Sequence, residues 1–455
     1  MLVSALTKLL KGRLHGGEDV VVTGHSIDTR VLKPREVFYA LDGRKTSGVR
    51  YLSAAFRAGA AVCVVAERYA AQVPAKGACI FVDDPVSALQ RAAAALMASD
   101  RCQVVAVTGS CGKTTVKELI AALLAKKYTV SRNKGNLNNH IGLPLSILNA
   151  PPAAYYVAEM GASKPGDIAE LCAVARPSIG VITNVYPAHL EGFGTLETVY
   201  RTKCELAEYV AARKGYLVID GDDETLVRSV TALPGYAGDT FGYGATVTYR
   251  AVTPVYRAGC ASFRLQENEW NVPLDAVLNV KNVLAAYAVA RYAGVDDADC
   301  RETIRSFVPP AGRFTRVMQN GITIIDDCYN ANPASFLNAL MMFDAFAPAG
   351  RRVLVCADML ELGDESDRYH DEIGAAVAAH ALALVVAVGD GGARIAERCA
   401  SLNPACRIVI APNNRKATET LKTELRRDDT VLFKGSRGMH LEEIIAELKE
   451  FPVCC

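Results

Sequence analysis

Residues 108–115 read TGSCGKTT, and their types and spacing suit the binding of a phosphate group. The two glycines let backbone N–H groups approach anionic oxygens, and Lys113 adds a positive charge. The hydroxyl of Thr114 or Thr115 can complete a Mg²⁺ shell. Where the common phosphate loop has its first glycine this chain has Val107, so the loop is a shorter version. The segment predicts a nucleotide site, and the alternative is a glycine turn with an incidental lysine.

Further polar residues follow the predicted strands of the same region. In parallel sheets ligands bind beyond the carboxyl ends of strands, so these positions are candidates for a site. Glu159 ends one strand and is either a Mg²⁺ ligand or a solvated charge. His189, soon after the next strand, is either a ligand or structural, and Lys203 alone suits a solvated helix face. The amide run in GNLNNHIGLP suits a turn or a ligand contact and contains Asn136, Asn138 and Asn139.

The last third of the chain has three polar clusters of its own, each after a predicted strand. They are IIDDCYNANPAS, ADMLELG and FKGSRG, with the polar residues Asp326, Asp327, Tyr329, Asn330, Asn332, Ser335, Lys434, Ser436 and Arg437. Each cluster alone could be ordinary loop chemistry. Three at equivalent strand ends indicate a second ligand-facing surface. Arg313, at the entrance to this region, could reach a terminal phosphate.

The elements that must position these residues follow an α/β pattern. In the first region the pattern predicts a helix near Leu52–Ala58 and the strands Val20–Thr23, Val37–Ala40 and Ala61–Val65. In the middle region strands alternate with helices, as is typical of a doubly wound parallel sheet: Val104–Val107, Tyr155–Glu159, Ile179–Thr183 and Gly215–Ile219. An all-strand stretch between Phe241 and Pro273 predicts an antiparallel addition. The last region has the strands Ile322–Ile325, Arg352–Val355, Ala383–Val388, Ile408–Ile410 and Thr430–Phe433.

A chain of 455 residues is too long for one core and suits several domains. Breaks in the pattern fall at Asp83-Asp84-Pro85 and at Pro309-Pro310-Ala311-Gly312. We therefore predict an α/β protein of three domains: a small α/β domain over residues 1–83, a central doubly wound parallel-sheet domain with the phosphate loop over 84–311, and a Rossmann-like α/β domain over 312–455.

Composition excludes several classes of protein. The balance of 50 Lys+Arg against 49 Asp+Glu argues against binding of nucleic acid or of an anionic membrane. The longest apolar stretch, Ala375–Val388, is shorter than the ~20 residues of a membrane span, and the amino end predicts an amphipathic helix and no signal peptide. Fourteen cysteines without a CxxC pair indicate reduced thiols. We expect Cys454 and Cys455 to lie in a frayed end of the chain. We expect a cytoplasmic protein.

Taken together, the motifs carry a resemblance to a known family. TGSCGKTT, GNLNNHIGLP, AEMGASKPGDI, TNVYPAHLEGFG, YRTKCEL, LNVKN, GRF, DDCYNANPAS, DMLELG and KGSRG occur in the order found in Mur ligases. The resemblance spans the whole chain, and SIDTR followed by VFYALDG resembles the region that holds a uridine nucleotide. DDCYNANPAS and DMLELG favour the family member that adds D-alanyl-D-alanine over sister ligases that add one amino acid.

The resemblance implies an ATP-dependent amide ligase of peptidoglycan synthesis. It would join D-alanyl-D-alanine to UDP-N-acetylmuramoyl-tripeptide through an acyl phosphate, giving the pentapeptide precursor, ADP and phosphate. The first domain would bind the UDP substrate, the central domain ATP with two Mg²⁺ ions, and the third would complete the ATP and dipeptide sites. We expect a monomer, although the sequence does not determine the oligomeric state. The alternatives are a sister ligase, a kinase of a small metabolite, and a non-catalytic nucleotide-binding homologue.

The resemblance also implies a role for individual residues. Those that would carry catalysis are Lys113, Glu159, His189 and Lys203. The metal ligands would be Thr114, Glu159, His189 and Lys203, the last as a carbamate formed with CO₂. ATP would contact Thr108, Gly109, Ser110, Cys111, Gly112, Lys113, Thr114, Thr115, Asn279, Asn282, Arg313 and Asp327. The two other substrates would contact Ser26, Thr29, Arg30, Asn136, Asn138, Asn139, Tyr329, Asn330, Asn332, Lys434 and Ser436.

Four positions depart from the family's usual pattern. They are Leu278, before the asparagine on the adenine side, His140, after the asparagine cluster, and Ser47 and Val49 in the first domain. We expect these changes to affect substrate affinity. Because the metal and phosphate positions are intact, we do not expect loss of catalysis.

Overall fold

The computed structural model describes residues 1–43, 46–74, 77–99, 102–257, 260–273, 279–345 and 350–450. Over these ranges the chain forms three β-sheets with helices packed against them. This is the predicted α/β class. Leu278, Cys454 and Cys455, which the sequence singled out, lie outside the described residues.

The first sheet has five strands in the order β1-β5-β4-β3-β2. All neighbours are parallel except β1, which is antiparallel to β5. The strands are β1 (Arg13–His15), β2 (Gly24–Ser26), β3 (Glu36–Tyr39), β4 (Val62–Ala66) and β5 (Cys79–Val82), and the helices are α1 (Val3–Leu9) and α2 (Leu52–Arg57).

One strand prediction in this region was wrong. The predicted strand Val20–Thr23 is not part of the sheet, and the strand instead lies at Gly24–Ser26. The valines do form backbone hydrogen bonds, but with the first residues of the chain: Val3 N–H donates to Val20 O (3.1 Å) and Val22 N–H to Met1 O (2.9 Å). The backbone groups of Val20 and Val22 thus pair with the first residues of the chain. A local sequence pattern does not reveal such a partner.

The central sheet has nine strands in the order β14-β13-β12-β11-β10-β9-β6-β8-β7. Its strands are β6 (Gln103–Thr108), β7 (Val130–Arg132), β8 (Tyr155–Glu159), β9 (Ile179–Ile182), β10 (Tyr216–Asp220), β11 (Gly238–Gly242), β12 (Tyr249–Arg257), β13 (Cys260–Leu265) and β14 (Asn268–Pro273). Its helices are α3 (Pro85–Ser99), α4 (Lys113–Leu124), α5 (Gly142–Leu148), α6 (Asp167–Ala175), α7 (Leu190–Phe193), α8 (Leu196–Ala211), α9 (Glu224–Thr231), α10 (Val280–Tyr292) and α11 (Asp297–Ser306).

Strand order places the phosphate loop where a doubly wound sheet binds ligands. From β6 the chain runs to β7 and then β8 on one side, and the connection from β8 to β9 crosses to the other side of β6. Such a switch point leaves a crevice at the carboxyl end of the strand. The predicted antiparallel addition is present as β12, β13 and β14, but a parallel pairing of β11 with β12 makes it continuous with the sheet.

The third sheet has six strands in the order β15-β16-β20-β17-β18-β19, all parallel except β15. They are β15 (Thr315–Gln319), β16 (Ile322–Asp327), β17 (Arg352–Ala357), β18 (Leu384–Val388), β19 (Arg407–Ala411) and β20 (Thr430–Lys434). The helices are α12 (Pro333–Ala345), α13 (Ser366–Ala378), α14 (Asp390–Leu402), α15 (Asn414–Glu424) and α16 (Glu442–Glu450).

Buried apolar residues join the central and third sheets. One continuous cluster runs from Val105 and Ile120 in the central region to Phe336 and Leu354 in the third. Full burial of a side chain of this size stabilises by roughly 1.5–3 kcal/mol, so the cluster holds the two regions against each other. The predicted boundaries near residues 83 and 311 fall between sheets, at the end of β5 and before β15, and we retain them as proposed boundaries.

Two further observations concern the described residues alone. No helix there is long and apolar enough to cross a membrane. The twelve cysteines in this part of the chain are all free thiols.

Candidate active site

A cleft of about 650 Å³ opens beyond the carboxyl ends of β6 and β8, between the central and third sheets. It brings together most of the predicted site residues: Ser110, Cys111, Gly112, Lys113, Thr114, Thr115, Asn138, Asn139, Glu159, His189, Asn279, Asn282, Arg313, Asp327, Tyr329, Asn330, Asn332 and Lys434. Residues more than 200 positions apart in the chain therefore face one space.

The phosphate loop connects β6 to α4 in a conformation that needs glycine. Thr108 ends β6, and its hydroxyl donates to Met160 O (3.0 Å). Gly109 has φ +145° and Gly112 has φ +80°, values that residues with side chains rarely adopt. A Cβ at Gly109 would also overlap the side chain of Thr183. The loop backbone can thus approach a ligand closely, as phosphate binding requires.

Two residues after β9 fix this loop. Asn184 accepts a hydrogen bond from Cys111 N–H (2.8 Å) and its amide donates back to Cys111 O (3.1 Å). The Thr183 hydroxyl donates to the same carbonyl (2.6 Å), and Ser110 Oγ donates to Tyr186 O (2.8 Å). Their place at the end of a predicted strand makes Thr183 and Asn184 candidates from sequence, but the sequence assigned them no specific role.

Lys113 begins α4 and folds back over the loop. Its Nζ donates to Gly109 O (2.8 Å) and to Ser110 O (3.1 Å). Desolvation lowers the pKa of Lys113, while the nearby Glu159 carboxylate acts in the opposite direction. The ammonium group is therefore held by the same loop whose amides would bind phosphate oxygens.

Glu159 at the end of β8 is set up to bind a cation. Asn138 Nδ2 donates to its Oε1 (2.8 Å), whereas its Oε2 is buried without a hydrogen-bond partner in the described structure. The nearest cation is the buried Lys117, 3.7 Å away, whose Nζ donates to Asn133 O (2.9 Å) and pairs with Glu118 (3.0 Å). A buried carboxylate oxygen without a donor is costly, and Mg²⁺ prefers such oxygens, so this residue fits the predicted metal.

Lys117 was missed by the sequence analysis. It lies on the apolar face of α4, three residues before Ile120 and seven before Leu124, where an apolar side chain is expected. That mismatch was the available signal, because buried lysines occur mainly when they are paired.

Two other predicted metal ligands, Thr114 and His189, line the same cleft. His189 Nδ1 is hydrogen-bonded to Glu361 Oε2 in the third region, and this bond lowers the pKa of Glu361. Thr114 Oγ1 accepts from Arg313 Nη2 (3.3 Å). No group of three or more His, Cys, Asp or Glu side chains arranged as metal ligands is found in the described ranges. A Mg²⁺ ion held by these few residues would take its remaining ligands from water, from oxygens of a phosphate group or from a modified lysine.

Lys203 lies on α8 and is 2 % exposed. Its Nζ is 5.6 Å from the centre of the Phe193 ring, and within the described part of the chain it forms no ion pair or hydrogen bond. Desolvation, together with the nearby Lys113, lowers the pKa of Lys203 to about 7. Because the effect of burial outweighs the opposing charges of Glu205 and Asp167, the environment of Lys203 is unlike that of a solvated helix face.

The third region supplies the opposite wall of the cleft. The Arg313 guanidinium lies 4.1 Å above the Tyr329 ring, which orients it toward the phosphate loop. Asn332 caps α12 by accepting from Ser335 N–H (2.9 Å), and its Nδ2 lies 3.1 Å from Cys111 Sγ. The loop after β16 and the phosphate loop are thus in direct contact.

Asp327 and Lys434 form a buried ion pair beneath this wall. Their charged atoms are 2.8 Å apart, with side chains 6 % and 2 % exposed. Lys434 Nζ also donates to Asn330 O (2.9 Å). Burial raises the pKa of Asp327, and the neighbouring Lys434 counteracts that rise. The pair joins the ends of β16 and β20 and positions the loop that follows β16.

Removal of one partner of this pair should destabilise the protein. In Asp327→Leu the ammonium of Lys434 stays buried without an anion, and we expect a loss of about 3–5 kcal/mol, measured as a fall in the urea midpoint. The double variant Asp327→Leu/Lys434→Met should recover much of it. Asp367→Asn, which alters an exposed pair with Arg394, is the control and should change stability by less than about 1 kcal/mol. If Asp327→Leu lowers the stability no more than Asp367→Asn does, this expectation is contradicted.

The segment predicted to contact adenine begins α10. Asn279 caps the helix, with Oδ1 accepting from Lys281 N–H (2.8 Å). Lys281 Nζ pairs with Asp220 (2.9 Å) and Asp222 (2.8 Å). Asn282 is buried against Gly112, so this segment packs directly on the phosphate loop.

Some predicted residues lie outside the cleft. Asn136 is exposed, and Ser436 is buried, where its Oγ accepts from Leu360 N–H (2.9 Å). Lys203, Thr108 and Gly109 do not line it, and neither do the three first-domain residues Ser26, Thr29 and Arg30. Their roles stay predictions.

Of the four unusual positions, the three that are described have clear surroundings. His140 lines the cleft. Ser47 caps a short turn, accepting from Val49 N–H (3.4 Å), and Val49 is buried. The two first-domain positions thus have local structural roles.

Comparison with known proteins agrees with this geometry. A family model described as the Mur ligase middle domain matches residues 107–290, and one described as the Mur ligase, glutamate ligase domain matches residues 312–437. A Bacillus subtilis protein named UDP-N-acetylmuramoyl-tripeptide--D-alanyl-D-alanine ligase is 33% identical, with 99% of each chain covered. The Escherichia coli protein of the same name is 30% identical, again over 99% of each chain.

Solved structures give the same result for the fold. The crystal structure of MurF from Acinetobacter baumannii superposes with a TM-score of 0.88 at 26% identity, over 98% of each chain. MurF ligase from Thermotoga maritima in complex with ADP superposes with a TM-score of 0.82 at 28% identity, covering 95% of this chain and 98% of that one. With its three-sheet fold, its phosphate loop and these full-length matches, the chain belongs to the Mur ligase family.

Proposed function

We propose that this chain is an ATP-dependent ligase that joins D-alanyl-D-alanine to UDP-N-acetylmuramoyl-tripeptide. The observation that carries the proposal is the contact of Arg313 with Thr114 across the cleft, at 3.3 Å. It brings a cation of the third domain to the phosphate loop, as transfer of a terminal phosphoryl group requires. The relatives named for this reaction match along the whole chain, and the sister-ligase and non-catalytic alternatives are not favoured.

The reaction has two bond-forming steps. A carboxylate is a poor electrophile, so an oxygen of the tripeptide's terminal carboxylate first attacks the γ-phosphorus of ATP, and ADP leaves. The amine of D-alanyl-D-alanine then attacks the carbonyl carbon of this acyl phosphate. Inorganic phosphate leaves, the nitrogen loses its proton to the surroundings, and an amide bond remains. The products are the pentapeptide precursor, ADP and phosphate.

The chain's own residues stabilise charge and position the reactants. Lys113 and Arg313 approach the transferred group from opposite walls and offset the negative charge on its oxygens. The two walls also shield the acyl phosphate, which water would otherwise hydrolyse. Bound Mg²⁺ supplies Lewis-acid stabilisation of phosphoryl oxygens. Thr114, Glu159 and His189 would hold it, with Lys203 as a carbamate.

The roles proposed for the substrate-binding residues rest on the resemblance to the Mur ligases. Ser26, Thr29 and Arg30 in the first domain would hold the uridine nucleotide, and Asn138 and Asn139 the muramoyl peptide near Glu159. The dipeptide would contact the wall formed by Tyr329, Asn330 and Asn332. We retain the predicted monomer as part of the proposal. The use of ATP and a UDP-linked substrate supports a cytoplasmic location.

A phosphate-release assay with the purified protein tests this proposal. We expect release to require ATP, Mg²⁺, the UDP-muramoyl tripeptide and D-alanyl-D-alanine together, with a product mass equal to the two substrates joined less one water. D-Alanine or L-amino acids should give a kcat/KM lower by about 10²-fold or more, because they leave polar groups of the dipeptide site unpaired. Tripeptides ending in lysine and in meso-diaminopimelate should both be supplied.

Two results would contradict the proposal. Equal turnover with single amino acids would identify a sister ligase. Absence of phosphate release with every tripeptide would favour a non-catalytic homologue.

A further inference from the structure

One contact links the predicted metal site to the third domain. Glu361 lies in the loop between β17 and α13, and its carboxylate is hydrogen-bonded to His189 Nδ1 in the central domain. Glu191, two residues after His189, donates its backbone N–H to Glu361 O (3.2 Å). The same glutamate therefore holds the His189 segment through both its side chain and its backbone.

The backbone on both sides of this contact is unusual. His189 has φ +53° and Glu361 has φ +65°, in the left-handed region that favours glycine. Such conformations persist where the surroundings determine the backbone, and they concentrate at functional sites. The two side chains are 32% and 56% exposed, and exposed ion pairs stabilise proteins little. A contribution to folding therefore does not explain why both residues are strained.

The contact leaves the other imidazole nitrogen available. His189 lines the cleft, and its Nε2 has no hydrogen-bond partner among the residues that the structure describes. When a carboxylate binds the Nδ1–H of an imidazole, the tautomer is fixed and the lone pair lies on Nε2, which is a common arrangement for histidines that bind metals. Glu361 is placed to impose that state on His189.

Building on the proposed function, we infer that Glu361 is a positioning residue that orients His189 toward the metal and does so only while the third domain is docked on the central domain. Metal binding and domain docking are then coupled. The cation site of the central domain is complete only when the wall that contacts the dipeptide is in place. This coupling would restrict phosphoryl transfer to the state in which the acyl phosphate is shielded from water.

A titration of the full chain with Mn²⁺ alone tests the inference without relying on turnover. Binding is measured as the decrease in the electron paramagnetic resonance signal of free Mn²⁺. We expect Glu361→Ala to weaken Mn²⁺ binding by about 10-fold or more, the range typical for loss of a residue behind a metal ligand. Glu361→Gln should weaken it by much less, because the amide oxygen still accepts the Nδ1–H bond. Unchanged Mn²⁺ affinity in Glu361→Ala would overturn the inference.

A double-variant comparison shows whether Glu361 acts through His189. In the His189→Ala background, Glu361→Ala should cause no further loss of Mn²⁺ affinity, since coupled residues are not additive. An equal loss in both backgrounds would overturn the inference. Glu365→Gln is the matched control, because Glu365 pairs with Arg368 (2.6 Å) inside the third domain and does not cross the interface.

The outcome is separable from that of the proposed function. Wild-type phosphate release tests the reaction, whereas Mn²⁺ binding tests the positioning role. An active wild type with a Glu361→Ala variant of unchanged Mn²⁺ affinity would overturn the inference alone. An inactive wild type would contradict the proposed function whatever the metal affinity.

Discussion

Lys203→Arg should lower kcat by about 10³-fold, because arginine cannot form the carbamate proposed for this position. Lys203 is 2 % exposed, and burial and the nearby Lys113 lower its pKa to about 7. Near neutral pH a large fraction of the molecules therefore carries Lys203 as a neutral amine, which is the form that reacts with CO₂. The resulting carbamate is an oxygen anion, which Mg²⁺ prefers, whereas a protonated amine would repel the ion. If the proposed carbamate holds Mg²⁺, replacement by a permanent cation should therefore abolish most of the activity.

Chemical rescue separates this explanation from simple loss of packing. Lys203→Ala should be as inactive as Lys203→Arg in plain buffer and should regain activity when acetate is added, because a small carboxylate can occupy the space. The Arg201→Ala variant, altered at an exposed position on the same helix, should stay near wild type and should not respond to acetate. Substantial activity of Lys203→Arg would contradict the carbamate role and leave Lys203 an ordinary buried cation.

Lys113→Met should lower kcat by a comparable factor, about 10³-fold. Methionine keeps the length and apolar stem of the side chain, and the variant therefore removes chiefly the ammonium that contacts Gly109 O and Ser110 O. The loop glycines and backbone amides remain, so the affinity for ADP, measured by calorimetry, should fall far less than kcat. A split of this kind indicates an interaction made mainly in the transition state.

The matched control for that variant is Lys127→Met. Lys127 is exposed, beyond the end of α4, and its Nζ donates to Gly294 O (2.8 Å) far from the loop. It should leave kcat and ADP affinity unchanged. A Lys113→Met enzyme with a kcat within about 10-fold of wild type would show that charge at this position is not needed for phosphoryl transfer.

Local patterns were sufficient for most of the fold. The predicted strand at Tyr155–Glu159 has the same bounds in the structure. The strand predicted at Val104–Val107 is one residue longer at each end, and that at Thr430–Phe433 is one residue longer at its carboxyl end. These strands are short apolar runs between turn signals, so they can be recognised from residues that are neighbours in the sequence. The strand predicted at Val20–Thr23 was wrong because the partners of those residues are at the amino end of the chain.

The sequence by itself also determined the chemistry available to the site. The phosphate loop, the acid at Glu159 and the polar clusters after the strands of the third domain were all identifiable from residue type and spacing. Such features are local, because the glycines, the lysine and the strand that precedes them lie within one stretch of the chain. Resemblance to the Mur ligases supplied the role proposed for Lys203, which the residue alone did not indicate.

Only the tertiary structure decided which of these residues meet. The hydrogen bonds of Thr183 and Asn184 to the phosphate loop depend on the position of β9 beside β6, and the pairing of Glu361 with His189 depends on the docking of two domains. Burial likewise set Lys203 apart from a solvated lysine. Strand order, domain docking and burial arise from contacts between residues distant in the chain. A periodic pattern carries no information about which distant residue will be the partner.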